Sequence, residues 1–166
     1  CTLDSNSIDS ALYMANIIQQ DLTLLNATSW QSWTAVSRHD DTGGAMKSDT
    51  LLRVDPDYSA VCFNKRFFAY RHFTNGVDAG AVRVKVQTGN SLDAVETVAF
   101  KNAEKLTLVL INNSSIPVAI KIKNTCKTME IITTDCVRDY SLTYSGAGVT
   151  GIELAARSIT TVVLYS

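Results

Sequence analysis

Ala81-Val-Arg-Val-Lys-Val-Gln87 alternates apolar and polar side chains with a period of two. A backbone that sends successive side chains to opposite faces is a β-strand, so this stretch reads as a strand with one buried face. It also marks where the chain changes character. Seven further segments follow it: Ala94–Lys101, Lys105–Asn112, Pro117–Lys123, Thr128–Thr134, Tyr140–Tyr144, Gly151–Leu154 and Ser158–Tyr165. Turn formers separate several of them, at Thr88-Gly-Asn90, Asn102-Ala-Glu104, Asn113-Ser-Ser115 and Gly146-Ala-Gly148. Eight short strands at this spacing predict an antiparallel β-sandwich. Leu106-Thr-Leu-Val-Leu-Ile111 is apolar on both faces and should be central, whereas Lys121 and Lys123 should face water.

Upstream of Gly76–Gly80 the periodicity is mostly helical. Ile8, Ala11, Leu12, Ala15, Ile18, Leu22 and Leu25 follow the three-and-four spacing of an amphipathic helix over Ser7–Leu25. Ser5 or Ser7 can cap it, and Asp9 suits its positive N-terminal end. Ala27-Thr-Ser-Trp-Gln-Ser-Trp-Thr-Ala-Val36 is rich in Thr, Trp and Val and predicts a buried strand. Trp30 and Trp33, an odd number apart, should then face opposite sides. Ser37 to Pro56 reads as a long polar loop around Gly43-Gly44. A second helix is predicted from about Asn64 to Thr74, carrying Phe63, Phe67, Tyr70 and Phe73 on a broad aromatic face. Asn75-Gly76 should stop it, with Gly76 in the left-handed conformation. One strand between two helices is not a sheet and would expose unpaired edges. This leading α/β piece is therefore expected to belong to a larger α/β domain.

The 166 residues carry 15 basic and 16 acidic side chains, a net charge of −1, and are 46% hydrophobic. That balance argues against a nucleic-acid partner, which needs clustered Lys and Arg. No apolar run approaches the ~20 residues of a membrane span, and no charged-then-apolar leader opens the chain. The start at Cys1-Thr2-Leu3, without Met, reads as a processed product or the tail of a longer protein. The four cysteines, Cys1, Cys62, Cys126 and Cys136, form no Cys-x-x-Cys pair, and two histidines, His39 and His72, do not complete a metal set. If 126–136 is one strand, it spans about 33 Å at about 3.3 Å per residue, too far for a bridge whose Cα limit is about 7 Å. Buried free thiols are the expectation.

The order of these features resembles the C-terminal part of glycoside hydrolase family 30, which includes glucocerebrosidase, β-1,6-glucanases, β-1,6-galactanases and xylanases. The residues carrying the resemblance are Ala27-Thr-Ser-Trp-Gln-Ser-Trp-Thr-Ala-Val36, Val54-Asp-Pro56, Lys65-Arg-Phe-Phe-Ala-Tyr-Arg-His-Phe73, Ala81-Val-Arg-Val84, Leu92-Asp-Ala-Val95 and Val109-Leu-Ile-Asn-Asn-Ser114. Such enzymes pair a (β/α)8 barrel with a side β-sandwich. The resemblance implies a mainly β chain. Residues 1–78 would be a barrel remnant (helix 7, strand 8 and helix 8, the last βα units of the barrel), and residues 79–166 an antiparallel β-sandwich. Barrel strands 1–7 would be missing.

Retaining glycosidases need two carboxyls about 5–5.5 Å apart. In the family these are glutamates ending barrel strands 4 and 7. The chain's glutamates, Glu96, Glu104, Glu130 and Glu153, all fall in the predicted sandwich, so no catalytic residue is assigned here. By resemblance, Trp33 lines the sugar site, and Trp30 is a core aromatic. His39, on the loop at the expected active-site face, is the second candidate for sugar contact. Thr34 stands where glucocerebrosidase-like members carry Asn. Asp40-Asp41 read as a solvated pair, Asp55 and Asp57 as turn residues, and His72 as structural. The resemblance implies a parent hydrolysing β-linked polysaccharide or glycoside outside the cytoplasm, without cofactor or metal. Its partners would be the carbohydrate substrate and the rest of the barrel. The alternative is a non-catalytic carbohydrate-binding or adhesion module, with Tyr140 and Tyr144 as its sugar platform.

Overall fold

The computed structural model describes residues 6–38, 50–55, 57–87, 94–123 and 126–166. Helix α1 spans Ile8–Thr23, and its first turn is capped by Ser7, whose hydroxyl accepts from the Ser10 N–H at 3.2 Å. A small sheet follows, of β1 (Val36–Arg38), β2 (Leu52–Val54) and β3 (Val61–Phe63). In it β1 runs parallel to β2, and β2 antiparallel to β3. Helix α2 (Lys65–Thr74) begins directly after β3, with Asn64 as its N-cap residue.

Among the described residues eight further strands follow: β4 (Val82–Val84), β5 (Val95–Lys101), β6 (Lys105–Asn112), β7 (Val118–Lys121), β8 (Thr128–Thr134), β9 (Ser141–Ala147), β10 (Gly151–Leu154) and β11 (Ser158–Tyr165). Six form one antiparallel sheet in the order β4-β5-β6-β11-β8-β9, and β10 pairs with β7 as a second layer. The two-sided apolar strand β6 is central, beside β11, as its composition requires. Lys121 and Lys123 face water.

Period-two alternation divides the large sheet's side chains between two cores. Val98, Phe100, Val109, Ile111 and Ile159 meet Ala11, Leu12, Ala15 and Ile18 of α1 and Ala69 and Phe73 of α2. The opposite face sets Leu110, Met129, Val162 and Leu164 against Ile120, Ile152 and Leu154 of the two-stranded layer. Each core removes a continuous apolar surface from water, which is the main stabilising term.

Several sequence expectations are corrected. Residues 28–35 are not a strand: extended pairing begins at Val36. A strand needs neighbours along its edges; Ala35 meets the start of β2, its carbonyl accepting from the Leu51 and Leu52 N–H groups, and among the described residues no strand pairs with 28–34. Trp30 is instead drawn sideways, its indole N–H donating to Asp21 Oδ2 at 2.9 Å. The supposed loop Ser37–Pro56 contains most of β1 and all of β2, and β3 was not anticipated; each is three residues long, too short for a periodicity to show. Cys62, Cys126 and Cys136 are free, but Cys62 and Cys136 are exposed rather than buried.

Gly76 does not adopt the left-handed conformation. It is required for a different reason, close approach: a Cβ there would lie 2.8 Å from the His72 carbonyl oxygen and 3.0 Å from Thr161 Cγ2. The Gly76 carbonyl also accepts from Thr107 Oγ1 at 2.8 Å. Gly76→Ala should therefore destabilise the protein by about 1–3 kcal/mol through overpacking at the α2–sheet junction. Urea unfolding curves of the two proteins, compared at equal slope, measure it.

Candidate functional site

Trp33 ends the irregular segment that leads from α1 into β1. Its indole is 86% exposed. The peptide bond from Trp33 to Thr34 is cis. A cleft of about 310 Å³ lies beside it, lined by Tyr13, Met14 and Ile17 of α1, by 30–33 and by Arg66 of α2. Arg66 is buried, and its Nε donates to Ser10 Oγ at 2.5 Å, which fixes the cleft floor between the two helices. An open indole face beside a guanidinium and the Gln31 amide is chemically suited to a pyranose. The C–H face of such a ring matches the apolar indole, and its hydroxyls match the polar groups.

Trp30 has the opposite surroundings. Its ring lies 5.6 Å from that of Tyr70 and packs on the first core. Tyr70 and Asp21 hold it from two sides. His39 and the Asp40-Asp41 pair lie outside the described residues. Asp55 and Asp57 make a turn: the Tyr58 N–H donates to the Asp55 carbonyl at 2.9 Å, and Ser59 donates to Asp57 from both N–H and hydroxyl. The Ser59 hydroxyl chiefly, with its N–H, holds the Asp57 carboxyl below its usual range. Glu96, Glu130 and Glu153 stand on β5, β8 and β10, with Glu104 between β5 and β6.

His72 is fully buried between α2 and the large sheet. Its Nδ1 lies 2.7 Å from Thr161 Oγ1 and its Nε2 2.9 Å from Thr134 Oγ1. Burial, with a smaller contribution from the Arg71 charge, lowers its pKa from 6.5 to about 3. This is a neutral structural imidazole that ties the helix to β8 and β11. Tyr140, half-buried, offers no open sugar platform: its ring meets His72 at 4.9 Å, and the Arg71 guanidinium lies 4.3 Å from it. Tyr144 packs against the second core, and its hydroxyl donates to the Ala147 carbonyl.

Sequence reading missed the start of α2 as a polar clamp. Buried Lys65 donates to the Asp135 carbonyl at 2.7 Å and pairs with Asp139 at 2.5 Å. Asp135 in turn is bonded by Arg138. Burial pushes the Asp135 carboxyl up, but these bonds and the N–H groups of Val137 and Arg138 outweigh it and hold it below its ordinary value. The aromatic face of α2 hid this clamp, because a charged pair opening a helix reads as solvated. A signal did exist for the cleft. Tyr13 and Ile17, one turn apart on α1, are apolar beyond the stripe that fills the first core, and Met14 lies between that core and the cleft.

Comparison with known proteins gives these positions a context. The family model described as "Glycosyl hydrolase family 30 beta sandwich domain" matches residues 80–162, and "O-Glycosyl hydrolase family 30" matches residues 3–46. No curated protein matches the chain. Among solved structures, a GH30 endoxylanase from Clostridium papyrosolvens C71 aligns with 100% of this chain at TM-score 0.71 and 19% identity. The catalytic domain of GH30 xylanase C from Talaromyces cellulolyticus aligns with 100% of it at TM-score 0.79 and 22% identity. A conserved exported protein from Bacteroides fragilis aligns with 95% at TM-score 0.81 and 21% identity. The chain spans 40%, 39% and 34% of those three chains respectively. Those structures share its fold, and the sandwich match covers half its length: the chain belongs to glycosyl hydrolase family 30.

Proposed function

We propose that this chain is the C-terminal portion of a retaining glycoside hydrolase that acts outside the cytoplasm on β-linked polysaccharide or glycoside. Residues 1–78 would close a (β/α)8 barrel, and residues 79–166 would be its side sandwich. The observation that carries this reading is the pair of family matches, at residues 3–46 and 80–162, on a chain that spans only 40%, 39% and 34% of the solved structures it aligns with. Among the described residues β1 has a partner on one edge, β2, and none on the other. Trp33 precedes β1 closely, and Trp33 and His39 are the proposed sugar contacts. The missing barrel strands are the proposed partner of the open edge. The catalytic carboxyls would lie on those strands, and two-carboxylate chemistry calls for no cofactor.

The test is a comparison of the purified 166-residue chain with the full-length protein on aryl β-glycosides and β-linked polysaccharides. The full-length protein should release products with the anomeric configuration retained, read by proton NMR during early turnover. The isolated chain should release none. Turnover by the isolated chain that survives a contaminant check, or inversion by the full-length protein, overturns the reading.

A further inference from the structure

We propose that Asn26 is the N-glycan acceptor of this chain and that Asn112 and Asn113 are not. The inference rests on the extracytoplasmic route proposed above. Three Asn-x-Ser/Thr sequences occur: Asn26-Ala-Thr28, Asn112-Asn-Ser114 and Asn113-Ser-Ser115. By sequence they are equivalent. The structure separates them.

Asn112 ends β6 with no exposed surface. Its Nδ2 donates to the carbonyls of Ile116 at 3.0 Å and Ala155 at 2.8 Å. Its Oδ1 accepts from the Ser114 N–H and hydroxyl. A sugar on this nitrogen would break the contacts that hold two turns and would need space the fold does not have. Asn113 is half-buried in a reciprocal amide pair with α1. Asn16 Nδ2 donates to its Oδ1 at 2.8 Å, and its own Nδ2 donates to Asn16 Oδ1 at 3.2 Å.

Asn26 is the opposite case. It is exposed, just past α1, in a left-handed turn conformation with φ of 53°, one that Asn tolerates better than most residues. Thr28 is exposed too. Asn26 Oδ1 accepts from Arg83 Nη2 at 2.5 Å, and its Nδ2 has no hydrogen-bond partner among the described residues. A second observation points the same way. Leu24 and Leu25, immediately before it, are 74% and 73% exposed. Asn26 also stands at a cavity of about 500 Å³ lined by Leu22, Trp30, Tyr70 and Phe73. A polar glycan there would cover apolar surface that is otherwise left in water.

The donor is a lipid-diphosphate-linked oligosaccharide. The Asn26 Nδ2 forms a bond to the anomeric carbon, and the bond from that carbon to the diphosphate oxygen breaks. The lipid diphosphate leaves with the electron pair, and one amide proton passes to a base of the transferase.

The test is secretion of the full-length protein from a eukaryotic host behind the host's own leader. The route is then imposed, so a wrong localisation cannot mimic a wrong acceptor. Peptides are mapped by mass before and after a glycan-releasing amidase, which leaves Asp where a glycosylated Asn stood. Most molecules should carry a glycan at Asn26 and none at Asn112 or Asn113. Thr28→Ala, which leaves Asn26 and its Arg83 contact in place, should remove that glycan. Unmodified Asn26 in the secreted protein, or a glycan on Asn112 or Asn113, overturns the assignment.

Discussion

Trp33→Ala in the full-length protein should lower kcat/KM by about 30- to 1000-fold, or about 2–4 kcal/mol of transition-state stabilisation. The unfolding midpoint should hardly move. Both halves of this expectation come from one number: an indole 86% exposed holds up little of the fold. The proposed occupant of this large planar apolar surface is a sugar ring. Trp30→Ala is the control. Its ring is half-buried against Tyr70 and bonded to Asp21, so truncation should destabilise by about 3 kcal/mol, the low end for a Trp, and spare the activity of the folded fraction. Steady-state kinetics and thermal unfolding on both variants decide it. Full activity in Trp33→Ala together with loss of activity in a folded Trp30→Ala would reverse the assignment.

His72→Ala should be the most damaging core substitution, at about 3–5 kcal/mol. It removes a fully buried ring and takes a partner from both Thr134 and Thr161; Thr134 keeps the Tyr140 N–H at 2.9 Å. The same site dictates a pH dependence. The folded protein holds His72 neutral down to about pH 3, whereas the unfolded chain protonates it near its ordinary 6.5. Between those values the unfolded state binds more protons. Stability is therefore complete above about pH 6.5 and falls by about 1.4 kcal/mol per unit as the pH drops toward 3. His72→Gln, which can still hydrogen-bond but does not titrate, should flatten that slope. Denaturant unfolding at pH 6.5 and 4.5, above most of the carboxylate range, should show wild type losing about 2 kcal/mol more than the variant, because the unfolded-state imidazole is already half protonated at pH 6.5. Equal losses would mean that the imidazole reaches water.

The sandwich was legible because its signals are local. Lys105–Asn112, Thr128–Thr134, Gly151–Leu154 and Ser158–Tyr165 match observed strands residue for residue, since alternation and two-sided apolarity record which faces a strand buries. Helix α1 was legible for the same reason, at a different period. The segment around Trp33 was not. Thr, Trp and Val favour a strand, but propensity gives way to hydrogen-bonding neighbours, and those are not encoded between Ala27 and Val36. Strands β1, β2 and β3 escaped because three residues make no pattern. Gly76 was singled out for the wrong cause, because it is crowded by the His72 carbonyl and by Thr161, and Thr161 lies far along the chain. Of the candidate site, the aromatic pair was visible in the sequence. The cleft wall of Tyr13, Met14, Ile17 and Arg66 exists only once α1 and α2 cross.

Strand β11 sits between β6 and β8, although it is made after both. During synthesis the large sheet is thus two separate halves, β4-β5-β6 and β8-β9, until residues 158–165 have been added. Thr161, which receives His72 and crowds Gly76, arrives in that same final stretch. A premature stop just before Ser158 would therefore do more than shorten the protein by one strand. It would leave β6 and β8 as two open edges, take the Thr161 peg from beneath α2, and release a nascent chain that quality control should treat as never folded.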